Sequence, residues 1–212
     1  MAALHERLVF DTARGAVLDG PRRYVLLRTD VLMGLFAQLE GDARDAALEA
    51  FGRSVAEHGA DSVRAYRVAV VAEALPSMME SAAASLGWGR WRFDVDDLAA
   101  LGPAEARNAA PGPGAAAREA APQHLRLAVT DSPFAAHAPH GRACHAIAGM
   151  LEAIGGAVYA APVEARETHC AAEGGEPVCR FVVAPRAHRS PIDPASSDDT
   201  PARRHHRQGD PP

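Results

Sequence analysis

Lysine is missing from all 212 residues; each of the 22 basic side chains is an arginine. A Schiff-base lysine and a phosphate-binding P-loop are thereby excluded, because both need a primary amine. Excess charge is small: the formal net charge is -5 with no basic stripe, which argues against a nucleic-acid partner. Long apolar runs are missing too, and none approaches the roughly 18 residues a membrane span requires. The first residues carry His5, Glu6 and Arg7 where a signal peptide would have its apolar core, so the expected location is cytoplasmic. Cysteine is limited to three, an odd number that points away from a disulfide framework. Three thiolates also fall short of a four-thiolate iron–sulfur cluster. No G-x-G-x-x-G follows a strand pattern and opens a helix, so a dinucleotide fold is not evident.

What is present is enough apolar content, 48%, for one ordinary core. Residues 8–28 read as extended. Thr29 or Asp30 can cap a helix whose Leu32, Leu35, Phe36 and Leu39 share a face. Asp42 can cap a second helix to about His58, with Leu48, Phe51 and Val55 inward and Gly59 as a stop. A third helical stretch from Asp61 to about Leu86 is expected to kink or break at Pro76. Gly87–Phe93 then alternates with period two, placing Gly89, Trp91 and Phe93 on one face of a strand. The Ala/Pro/Gly-rich segment 102–122 reads as a mobile loop, and His124–Thr130 as a strand. Ser132–Ala135 reads as a turn. A helix over Arg142–Ile154 would turn Cys144, Ile147, Ala148 and Leu151 inward and end at Gly155-Gly156. Strands near Ala157–Thr168 and Val178–Val183 form a hairpin, and residues 185–212 read as a disordered tail. The expected class is α+β, an antiparallel sheet with a helical layer, in a single domain over residues 1–184.

Chemistry concentrates in the last third. Cys144, Glu167, Cys170 and Cys179 offer three thiolates and a carboxylate, enough to close a tetrahedral site around a borderline-soft ion such as zinc. A Glu-x-x-Cys step, a Gly-Gly loop and a third cysteine opening an apolar strand suggest a loop folding back over that ion. Two other readings stand beside it: buried free thiols, or a hairpin disulfide between Cys170 and Cys179 with Cys144 left over. Leu75, Met78 and Met79 can face a flat apolar ligand or simply fill core. Trp88 and Trp91 can stack on a ring or pack inward. His137, His140, His145 and His169 can ligate the magnesium of a pigment precursor, or remain solvated.

The segments G-W-G-R-W-R-F, S-P-F-A, A-C-H-A-I-A-G-M-L, E-T-H-C and C-R-F-V-V together resemble the 4-vinyl reductase domain family, over roughly Tyr24 to Val183. An early Y-V-L-L-R-x-D-x-L-M-G extends the likeness to its short members of bacteriochlorophyll biosynthesis. The resemblance implies a ligand-binding fold shared with nitric-oxide-signalling domains, a Golgi-transport subunit and bacterial sensors of phenol and xylene. Those sensors hold a structural zinc with three cysteines and a glutamate, and the matching positions are Cys144, Glu167, Cys170 and Cys179. It implies action on the 4-vinyl (8-vinyl) group of divinyl protochlorophyllide, as reductase or reductase subunit, with a tetrapyrrole as ligand. The reductant is unknown and would come from a partner or an unrecognised flavin or nicotinamide site. Other pigment-synthesis enzymes and a second copy of the chain are further partners to weigh. A non-enzymatic tetrapyrrole carrier or assembly factor, and a small-molecule sensor module, are the alternatives.

Overall fold

The computed structural model describes residues 4–67, 75–94, 124–138 and 141–186. The loop expected at 102–122, the tail from residue 187 onward and His140 lie outside the described residues. A short helix α1 (Leu4–Arg7) precedes three strands, β1 (Val9–Asp11), β2 (Ala16–Asp19) and β3 (Arg22–Tyr24), paired antiparallel in that order. Helices α2 (Thr29–Ala37), α3 (Gly41–Arg67) and α4 (Leu75–Ser85) follow. Strand β4 (Arg90–Phe93), strand β5 (Leu125–Thr130), a one-turn helix α5 (Pro133–Ala136) and helix α6 (His145–Tyr159) come next. Strands β6 (Val163–His169) and β7 (Val178–Pro185) close the chain's described part, joined through a 3-10 turn at Ala171–Glu173. The main sheet has the order β4-β5-β7-β6, antiparallel at each pairing. The expected α+β class with an antiparallel sheet and helical layer is the observed one.

Alternation sets the sheet's inner face. Trp91 and Phe93, Leu125, Leu127 and Val129, and Cys179, Phe181 and Val183 point inward, while Arg92, Arg126 and Arg180 point to solvent. Helix α6 lies on that inner face and α3 covers α6, giving sheet, helix and helix as successive layers. The sequence of α6 is apolar nearly all round, as a helix enclosed on two sides must be. Ile147, Leu151 and Ile154 are completely buried.

Several expected boundaries differ. The stop at Gly59 is not used: α3 runs on to Arg67, and Gly59 sits beneath Met150 of α6. Pro76 produces no kink, because it falls in the first turn of α4, where a missing N–H breaks no helical bond. Helix α6 passes through Gly155-Gly156 and ends at Ala160, whose φ is +51°. A Cβ at Gly155 would meet Val183 at 2.7 Å, so this glycine serves helix–sheet contact rather than termination. The strand expected from Ala157 begins only at Val163. Ser132–Ala135 is helical rather than a plain turn, with the Ser132 hydroxyl accepting from the Ala135 N–H at 3.4 Å. On α2 the buried residues are Met33 and Phe36, whereas Leu35 is 62% exposed.

Candidate metal centre

Four elements bring the C-terminal donors together. Cys144 stands at the N-cap of α6, Glu167 on β6, Cys170 at the head of the 3-10 turn and Cys179 on β7. The position of Cys170 depends on a slip in the β6–β7 ladder. Glu167 pairs with Phe181 but His169 pairs with Arg180, leaving Thr168 as an extra residue. That insertion inverts the side-chain alternation, so Glu167 and Cys170 both turn inward despite odd separation. Gly174 and Gly175, with φ of +88° and +89°, then reverse the chain into β7.

Donor atoms of Cys144, Glu167, Cys170 and Cys179 all lie within 4.8 Å of one another, and can hold a metal ion. The Cys144 and Cys179 sulfurs are 3.6 Å apart. A tetrahedral thiolate centre with bonds of about 2.3 Å has edges of about 3.8 Å, so the spacing fits. All three cysteines are buried and unbridged. Oε1 of Glu167 is buried with no hydrogen-bond partner, an unmet need that a cation would satisfy.

Crowding of acids perturbs their titration. Burial, followed by the neighbouring Cys170, raises the Glu167 carboxyl to about 8. Hydrogen bonding to Cys170 and Cys179, reinforced by burial, holds the Cys144 thiol well above its usual range. The Cys179 thiol falls to about 4 because Cys144, then Cys170, hydrogen-bond to its thiolate. The metal-free site therefore keeps negative charge on Cys179 and protons on Cys144 and Glu167 at neutral pH.

Two neighbours were not singled out by the sequence reading. Ser132 is buried with its hydroxyl 3.4 Å from the Cys144 sulfur, and can orient that ligand. Phe134, edge-on to Trp88 at 5.5 Å, anchors the helix that carries this serine. Arg142 donates to the Glu167 carbonyl at 2.6 Å and pairs with Glu173 at 3.0 Å, lacing the approach to α6 onto the β6–turn segment. Only an arginine two residues before Cys144 hinted at this, and spacing alone could not reveal its partners.

Other candidates separate. Trp91 is core, its indole N–H donating to the Trp88 carbonyl at 3.1 Å. Trp88 instead lines an open cleft of about 290 Å³, whose apolar wall includes Val55, Met79, Leu86 and Met150. Ser54, His58 and Ser62, one helical turn apart on α3, form its polar rail together with Tyr24. Leu75 is core, and Met78 is packed against it. His137 is exposed, while His169 meets the Glu176 carbonyl at 3.3 Å. His145 is half-buried, and burial lowers its pKa. No described helix is long and apolar enough to cross a membrane.

A family model for the vinyl-4-reductase (V-4-R) domain matches residues 125–185, the stretch from β5 through β7 that contains all four clustered donors. Among solved structures, the chain is similar to the phenol-responsive sensory domain of the transcription activator PoxR, crystallised with phenol. The TM-score is 0.62 at 19% identity over 86% of each chain, a likeness of fold. A vinyl-4-reductase family protein from Methanocaldococcus jannaschii matches with TM-score 0.39 and 13% identity, over 72% of this chain and 73% of that one. No curated protein matches the chain.

Proposed function

We propose that this chain is a zinc-stapled ligand-binding module of bacteriochlorophyll synthesis, which holds the divinyl tetrapyrrole while its 4-vinyl (8-vinyl) group is reduced. The observation that carries this reading is the open cleft, with Trp88 and the adaptable side chains of Met79 and Met150 on its wall. The cleft is open, so it can seat one edge of a flat macrocycle and leave the remainder accessible to a reductant-supplying partner. The family-model match and the motif resemblance supply the pathway. Purified chain should retain divinyl protochlorophyllide through gel filtration, with quenching of Trp88 fluorescence. Met150→Asp should weaken binding about tenfold or more, equivalent to about 1.4 kcal/mol. Failure of the pigment to co-elute or to quench would reject the reading.

A second reading, a sensor of single-ring aromatics, draws on the cleft's volume. A cavity of about 150 Å³ accommodates benzene, and the 290 Å³ here leaves room for ring substituents facing the rail. Saturable binding of phenol without binding of the tetrapyrrole would favour it.

In either case Cys144, Glu167, Cys170 and Cys179 are the proposed zinc ligands. A closed set with all four positions filled by protein is structural. Zinc must displace the protons on Glu167 and Cys144, so retention is expected to strengthen with rising pH. Near pH 7 each lost pH unit should weaken apparent affinity by about a hundredfold, tenfold for each displaced proton. Without metal the sign reverses at Glu167. Its folded-state value near 8 exceeds the ordinary 4.5, so this group's contribution to stability declines as pH climbs between them. Competition with a chromophoric chelator across about pH 6 to 8 measures this; zinc affinity that is flat or falls with pH would contradict the ligand set.

A further inference from the structure

We infer that the N-terminal sheet and α2 form a homodimer interface, in which a second copy of this chain covers an apolar face left open on the first. All exposed large hydrophobics among the described residues lie between positions 9 and 35: Val9, Phe10, Val25, Leu26, Leu27, Val31 and Leu35. Their exposures run from 53% to 82%, in a chain whose other large apolar side chains are buried or half-buried. Val31 and Leu35 lie one turn apart on α2, opposite the buried Met33 and Phe36. Residues 25–27 lead directly into that helix from β3, outside any strand ladder. Across the sheet, Phe10 pairs with Val17 and Val17 with Tyr24, which carries the patch from β1 to residue 25.

The area matches what a dimer needs. At roughly 100 Å² for each half-exposed large side chain, the seven offer about 700 Å² per copy, and a stable interface takes about 800 Å² per partner. A soluble monomer rarely leaves more than about 300–600 Å² in one patch. Three strands of three or four residues are also marginal without a covered face. Charge favours a like partner. The segment holds Arg14, Arg22, Arg23 and Arg28 against Asp11, Asp19 and Asp30, so two copies meet without a like-charge excess. Arg28 and Asp30 already pair at the patch and can exchange partners across a twofold axis, where one surface must complement itself.

Sedimentation velocity of the full chain at micromolar concentration should give twice the 22.3 kDa chain mass. Leu26→Glu combined with Leu35→Glu should give a monomer whose circular dichroism and metal content match the parent, because both side chains are already more than half exposed. A monomeric parent would overturn the inference, as would a double variant that remains dimeric. A monomeric parent that floats with phosphatidylcholine vesicles would assign the face to a lipid surface instead.

Discussion

Cys170→Ser is expected to strip the proposed zinc from the chain and to lower the melting temperature by about 10 °C or more, corresponding to about 4 kcal/mol or more. Cys170 is completely buried where the bulged end of β6 enters the 3-10 turn. Serine cannot supply the soft thiolate, and its hydroxyl would be buried beside Glu167. Structural zinc contributes roughly 10–16 kcal/mol to folding in isolated finger peptides. Here only part of that is at risk, because β5, β7 and α6 share an extensive core that holds without the ion. What the ion adds is a tie between the start of α6, the end of β6 and the start of β7. Without it, the protons on Glu167 and Cys144 are the remaining way to quiet the buried acids. Elemental analysis and calorimetry of parent and variant test this together. A variant that keeps one zinc per chain, or melts with the parent, would remove Cys170 from the ligand set.

The donors were legible because the chemistry of cysteine and glutamate survives ignorance of the backbone. Cys144, Glu167, Cys170 and Cys179 stood out by type and spacing, and the fold brings them within 4.8 Å. How they meet was not legible. The extra residue at Thr168 inverts the alternation of β6, and nothing in E-T-H-C distinguishes a bulge from a regular strand end. The strands β4, β5 and β7 were readable from period-two patterns because one face is core and the other arginine-rich. Glycine was the main source of error. Gly59 and Gly155 looked like helix stops, yet both occupy helix interiors where another element comes too close for a side chain. That role depends on a neighbour distant in sequence, so local pattern cannot reveal it. The inward face of α2 was misassigned for a related reason: Leu35 faces outward, on the surface inferred to meet a second copy.

Gly149→Ala should be the most damaging small change outside the metal centre, although helix propensity alone favours alanine by about 1 kcal/mol. Helices α3 and α6 cross where Gly52 faces His145 and Gly149 faces Gly52. A Cβ at Gly149 would lie 2.0 Å from the Gly52 carbonyl oxygen and 3.1 Å from the Ala56 nitrogen. These are backbone atoms, so no side-chain rotation relieves the clash and the two axes must separate. Helix α6 cannot yield toward the sheet either, because Gly155 already contacts Val183 and Val163, and Ile147, Leu151 and Ile154 are fully enclosed. Separation would open the core on one side or overpack it on the other, at a cost of about 3 kcal/mol or more. Gly156→Ala, seven residues along the same helix, is the control. The nearest atom to its added Cβ is the Ala161 carbonyl oxygen at 3.8 Å, an ordinary contact. There propensity should prevail, giving unchanged stability or a gain of about 0.5–1 kcal/mol. Denaturant melts of the metal-loaded proteins separate the two cases. Equal midpoints for both variants would show that α3 and α6 do not cross at Gly52 and Gly149.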